Sequence, residues 1–168
     1  VLYGPPLAGK RTLMDRIGGL SAGAPSVTRE PAIECQQNSD IGSRLTFTIG
    51  ARRVSALTFS GGVWNEDLWL PLIYRASAVI LVLDGQRTRQ DADMEFVEKL
   101  EGLPRLSRLG CVALTKQDLG KSDVEMLSAR ELLAGKAFAA WPVFLTRAES
   151  TAETSRLLKW LGTSLEHM

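Results

Sequence analysis

The sequence predicts an α/β fold, a three-layer, doubly wound and mostly parallel sheet with one antiparallel edge strand, and three observations carry that prediction. The runs Ala78-Val-Ile-Leu-Val-Leu83 and Gly110-Cys-Val-Ala-Leu114 have no polar face, as strands buried on both sides of a parallel sheet require. Helical patterns lie between and after them. A single hairpin pattern supplies the antiparallel strand.

In chain order, Val1-Leu-Tyr3 reads as the end of a first strand and Arg11 to Ile17 as a helix. The polar stretch Gly18 to Gly42 reads as one long loop and a candidate mobile element. Leu45, Phe47 and Ile49 alternate with polar residues, as do Val54, Ala56 and Thr58 after the Gly50-Ala51 turn, which is the hairpin signature. Asp91 to Leu103 sets Met94, Val97 and Leu100 at helical spacing, and Pro142 to Leu145 is a third, shorter parallel strand. Ser128-Ala-Arg-Glu131 and Ser150-Thr-Ala-Glu153 fit the capping box, and the second opens a helix with Leu157, Leu158, Leu161 and Leu165 along one face. Ligands of such sheets sit beyond the C-terminal strand ends.

Composition narrows the class. The 168 residues, 45% apolar and 23% charged, suit a single domain with one good core. Twenty Lys and Arg against nineteen Asp and Glu give a net charge of +1, without a basic run that could neutralise many phosphates, so no nucleic-acid partner is expected. The longest apolar run, Ala76 to Leu83 broken by Ser77, is too short to span a bilayer, and the chain reads as cytoplasmic. Cys35 and Cys111 have no zinc spacing and read as ordinary thiols. With His167 as the only histidine, histidine-based metal or triad chemistry has no material. The start at Val1, inside a strand, reads as a trimmed domain whose first strand is completed upstream.

The strongest motif follows the first strand: Gly4-Pro-Pro-Leu-Ala-Gly9-Lys10, then a helix. By composition G-x-x-x-x-G-K arises by chance in about one chain in twenty of this length, so its placement between strand and helix gives it weight. The glycines let the backbone curl so that N–H groups from Leu7 to Thr12, including those of Ala8 and Gly9, converge on a phosphate, and Lys10 reaches its terminal oxygens. Pro5 and Pro6 precede the donor stretch. The next position ordinarily carries a Ser or Thr whose hydroxyl ligates Mg²⁺; here it is Arg11, followed by Thr12. A guanidinium there repels Mg²⁺ and stands in for part of its charge: two unit charges about 4 Å apart at an effective dielectric of 20 are worth roughly 4 kcal/mol. The blander reading leaves Arg11 in solvent.

Thr115-Lys-Gln-Asp118 ends the second buried strand, on the same sheet edge as the loop. Asp118 can accept hydrogen bonds from N1–H and the exocyclic amine of guanine, which adenine does not offer, while the Lys116 stem packs over the ring.

With both motifs in order, the sequence resembles the Ras-like small GTPases of the P-loop NTPase class, and more closely their bacterial gliding-motility, MglA-type branch, over essentially the whole chain. Leu57-Thr-Phe-Ser-Gly-Gly62 falls where most small GTPases carry D-x-x-G-Q and the MglA branch T-x-P-G-Q. The resemblance implies GDP and GTP as ligands, Gly61 against the γ-phosphate, and a second switch at Gly61 to Leu68. It implies a first switch within Gly18 to Gly42, where Thr28 is the one candidate for the magnesium-binding threonine, several residues early. It also places a base-contacting segment at Thr146-Arg147-Ala148, Arg29 as a candidate arginine finger, and a small dimeric roadblock-type regulator at the switch loops.

The departures bear on catalysis. The loop hydroxyl is Arg11, the water-orienting glutamine falls on Gly62, and the switch threonine has no clear counterpart. Such parts position water and stabilise spreading charge, each worth several kcal/mol of barrier, so GTP hydrolysis is expected to be slow or partner-dependent, resting on Lys10 and Gly61, with the need for Mg²⁺ open. The leading expectation is a guanine-nucleotide switch with weak or lost hydrolysis. The alternative is a nucleotide-free pseudo-GTPase serving as an interaction module, with Trp64, Trp69 and Tyr74 as contact surface or, more plainly, as a helix burying one face. A P-loop kinase using ATP leaves Thr115 to Asp118 unexplained.

Overall fold

The computed structural model describes residues 1–21, 28–31, 42–59, 66–86, 91–103, 109–116, 129–147 and 150–167. In chain order its elements are β1 (Leu2–Tyr3), α1 (Lys10–Ser21), β2 (Thr28–Pro31), β3 (Gly42–Ile49), β4 (Arg52–Phe59), α2 (Glu66–Arg75), β5 (Val79–Asp84), α3 (Asp91–Glu101), β6 (Gly110–Thr115), β7 (Val143–Leu145) and α4 (Thr151–Glu166). Residues 129–133 are also helical.

Every residue of β5 and β6 is buried, and strand alternation divides their side chains between two cores. Val79, Leu81 and Leu83 meet Ile73 of α2, Phe96, Val97 and Leu100 of α3, and Leu133. Ile80 and Val82 meet Leu13, Met14 and Ile17 of α1 and Leu157 of α4. Helices therefore cover both faces of the sheet, and the runs must be apolar on both sides. Truncating a fully buried residue such as Leu100 costs about 2–5 kcal/mol.

The described strands form one sheet in the order β2-β3-β4-β1-β5-β6-β7. β4, β1, β5, β6 and β7 are mutually parallel, so their C-terminal ends, at Phe59, Tyr3, Asp84, Thr115 and Leu145, share one edge. β1 is flanked on opposite sides by β4 and β5. The order reverses there, which is where open α/β sheets form a ligand crevice.

One expectation is corrected. β3 is the antiparallel strand, paired with β4 from Gly42↔Phe59 to Ile49↔Arg52, but it is not the edge: β2 pairs antiparallel along its outer side, from Thr28↔Thr46 to Pro31↔Ser43. β2 and the end of α1, which runs on to Ser21, both lie inside the stretch read as one loop. Thr-Arg-Glu-Pro carries no alternation because an edge strand needs only backbone pairing on one side, and charges and proline are ordinary edge residues.

α4 begins as a capped helix: the Ser150 hydroxyl accepts from the Glu153 N–H at 3.4 Å. The reciprocal half of the box is absent. The Ser150 N–H already donates to the Arg147 carbonyl at 3.2 Å, and the Glu153 carboxylate turns to Arg147 instead. Ser128, the other proposed cap, lies outside the described residues. Cys111 is fully buried, and burial pushes its thiol well above the ordinary range, as expected of a packing residue. Cys35 lies outside the described residues.

Candidate functional site

The loop between β1 and α1 is curled tightly against the neighbouring strands. At Gly4 (φ +152°) a Cβ would lie 2.0 Å from the Val82 carbonyl oxygen, and at Gly9 (φ +82°) a Cβ would lie 2.9 Å from Thr115 Oγ1. Both positions exclude a side chain, which gives the two motif glycines a structural reason. Leu7, at the exposed apex, has φ +62°, a left-handed conformation costing a non-glycine residue roughly 1–2 kcal/mol. Strain of this kind concentrates at ligand sites.

The Lys10 side chain folds back over the loop. Its Nζ donates to the carbonyl oxygens of Gly4 at 2.7 Å and Pro5 at 2.6 Å. Burial lowers its pKa from 10.5 to about 8, so at neutral pH the loop holds a buried, mostly protonated ammonium with no carboxylate partner among the described residues. Because α1 starts at Lys10, the N–H groups of its first turn lack acceptors within the helix; the Leu13 N–H is taken by the Gly9 carbonyl at 2.9 Å. Arg11 and Thr12 are exposed in this turn.

A cavity of about 140 Å³ adjoins the loop, lined by Gly9, Thr12, Leu13, Arg16, Thr115, Lys116, Thr146, Arg147 and Thr154. Its walls are firmly tied. The buried Thr115 hydroxyl donates to the Ala8 carbonyl at 2.7 Å, with the Leu83 carbonyl at 3.2 Å, joining the end of β6 to the loop. Lys116, at φ +56°, sends its Nζ to Asp84 Oδ2 at 2.7 Å, leaving its stem along the cavity. Asp84 is buried and also accepts from the Gln86 N–H at 3.0 Å. Thr146 bonds to the Leu114 carbonyl through its N–H at 2.8 Å and its hydroxyl at 3.0 Å. Arg147 grips Glu153 from its backbone N–H, Nε and terminal nitrogen, at 2.8, 2.8 and 2.6 Å. Burial pushes the Glu153 carboxyl up, but these bonds outweigh it and hold its pKa below the usual value.

The structure thus brings together Gly4, Leu7, Ala8, Gly9, Lys10, Arg11 and Thr12 with Thr115, Lys116, Thr146 and Arg147. Thr28 is not among them. It lies in the outermost strand, three strands from β1 or about 14 Å, and opposite Thr46 and then Ser55, three residues short of Thr58. That placement removes it as a metal ligand to the loop. Gly61 and Asp118, with Gly62 and Trp64, lie outside the described residues. Tyr74 is exposed.

Sequence reasoning missed Asp84 and Glu153. Asp84 closes an apolar run, a position where a buried acid signals a partner, and Glu153 is absorbed by the capping pattern. It also passed over the Thr58 hydroxyl, which is buried with no hydrogen-bond partner among the described residues, a situation costing about 1–3 kcal/mol. Among the described residues no group of three His, Cys, Asp or Glu could hold a metal ion.

No known protein-family model and no curated protein matches this chain.

Proposed function

We propose that the chain is a Ras/MglA-like guanine-nucleotide-binding domain of the P-loop NTPase class, holding GDP and GTP and acting as a switch with weak or lost hydrolysis. One observation carries the reading: the parallel strand ends set a glycine-curled loop with a buried lysine beside a cavity walled by Thr115-Lys116 and Thr146-Arg147. The loop receives the phosphates on the α1 N-terminus and Lys10. The cavity receives the base against the Lys116 stem, with Asp118 as the guanine reader. Hydrolysis is slow because Arg11 and Gly62 replace the groups that bind Mg²⁺ and orient water. A protein partner, of the roadblock type by resemblance, engages the switch segment at residues 61–68. No described helix is long and apolar enough to cross a membrane, and we place the domain in the cytoplasm.

The test is to denature the purified protein, identify released material, and titrate refolded or stripped protein with GDP, GTP and ADP. Guanine-selective binding supports the reading. A second reading, a nucleotide-free interaction module, is favoured by one feature: the Lys10 amine and Arg147 guanidinium already have partners within the chain. Absence of binding to every nucleotide decides for it.

A further inference from the structure

Thr58 sits at the C-terminal end of β4, where it pairs with Leu2 just before the loop. By alternation it shares the face of Ala56, which packs in the α1-side core with Leu2, Ala8 and Leu13. Its hydroxyl therefore lies on the side of the sheet that carries the loop and the start of α1. At 4% exposure it meets no hydrogen-bond partner among the described residues, which leaves it open to a bound group. By the resemblance noted above, most small GTPases carry an aspartate at this position.

The groups at the phosphate end have one chemical character. Lys10 Nζ, the Arg11 guanidinium and the first-turn N–H groups of α1 are donors, and the Thr58 hydroxyl can donate. Arg11 stands where a metal-ligating hydroxyl is needed and meets no carboxylate among the described residues. Asp84, the carboxylate at this sheet edge, is engaged by Lys116 and the Gln86 N–H. A divalent cation would meet the Arg11 guanidinium where a hydroxyl ligand is needed and no free carboxylate among the described residues, so these residues do not fit Mg²⁺. We propose that the site takes the phosphate end of its ligand directly, without a divalent cation, with Arg11 and the Thr58 hydroxyl completing the hydrogen bonding that a metal ion ordinarily supplies. This rests on the phosphate-binding part of the proposed function and is independent of how the base is read.

The experiment titrates nucleotide-stripped protein with GDP, and separately with inorganic pyrophosphate, in Mg²⁺ and in excess chelator. Both affinities are expected to change by less than about threefold on chelation. Arg11→Ser weakens both in chelator by about tenfold or more, the loss of a charge-assisted contact. Thr58→Val weakens both by about three- to tenfold, while Thr58→Ser, which keeps the hydroxyl, binds as the unaltered protein. Thermal unfolding without ligand checks that each variant is folded. Binding lost on chelation, or equal binding by Thr58→Val and Thr58→Ser, overturns the proposal, as does failure of both ligands to bind. Pyrophosphate binding in chelator, together with equal affinities for GDP and for ADP titrated alongside it, supports it while refuting the guanine reading.

Discussion

The two halves of the site are built differently. Around the cavity four polar wall residues are tied to the protein: Thr115 to Ala8, Lys116 to Asp84, Thr146 to Leu114, Arg147 to Glu153. At the proposed phosphate end, among the described residues, Lys10 has only its own loop carbonyls, Arg11 is exposed, and the Thr58 hydroxyl is buried without a partner. The first half is pre-organised and pays little ordering entropy on binding. The second presents cationic and hydroxyl donors with no carboxylate among the described residues to meet them, and under the proposed function the ligand's charge is recognised there and its shape at the cavity.

The largest effect expected from breaking this contrast is at Lys10. Lys10→Met removes the buried ammonium and should weaken pyrophosphate and nucleotide binding by about tenfold to a hundredfold, measured calorimetrically, while leaving ligand-free stability equal or higher because an unpaired buried charge has gone. The same residue sets a pH response. Its folded pKa, about 8 against 10.5, means that the unfolded chain binds more protons between these values. Ligand-free stability should therefore rise as pH increases across that window, while affinity for an anion falls above about pH 8 as the amine neutralises. Denaturant melts and binding isotherms across the window read the two opposite slopes.

Next in size is the cavity wall. Arg147→Ala removes the two side-chain hydrogen bonds to Glu153, leaving only the one from the residue 147 backbone N–H, and should cost about 1.5–3 kcal/mol at neutral pH by chemical denaturation. Because the Glu153 pKa is depressed below 4.5, its contribution is present above that value and lost as pH falls through the folded pKa. The gap between wild type and Arg147→Ala should accordingly close in acid. The smallest effect is at the loop apex, where Leu7→Gly relieves a left-handed leucine that is 76% exposed and should raise stability by about 0.5–1 kcal/mol, strain relief less the added chain entropy.

Legibility in the sequence followed burial. β5 and β6 were plain because strands covered on both faces must be apolar throughout, and the hairpin because β3 and β4 alternate around a two-residue turn. β2 was hidden, since Thr28 to Pro31 carry no apolar alternation and an edge strand needs only backbone pairing on one side. In the site, Gly4, Gly9 and Lys10 were legible because the loop admits no other geometry. Thr115 was read as part of a base motif, yet its hydroxyl fastens the loop. Asp84 and Glu153 bind through contacts distant in sequence or hidden within a capping pattern, which no local spacing encodes. Thr58 reads as an ordinary strand residue until the sheet shows which face it occupies.

Whether loop and cavity form one guanine-nucleotide site, as proposed, is read most directly from the affinity of stripped protein for GDP against ADP and against guanosine. GDP is expected to bind more tightly than ADP, by a margin set by the base, and more tightly than guanosine, by a margin that Lys10→Met removes. Equal affinity for GDP and ADP, or a GDP affinity unchanged by Lys10→Met, would contradict the proposal.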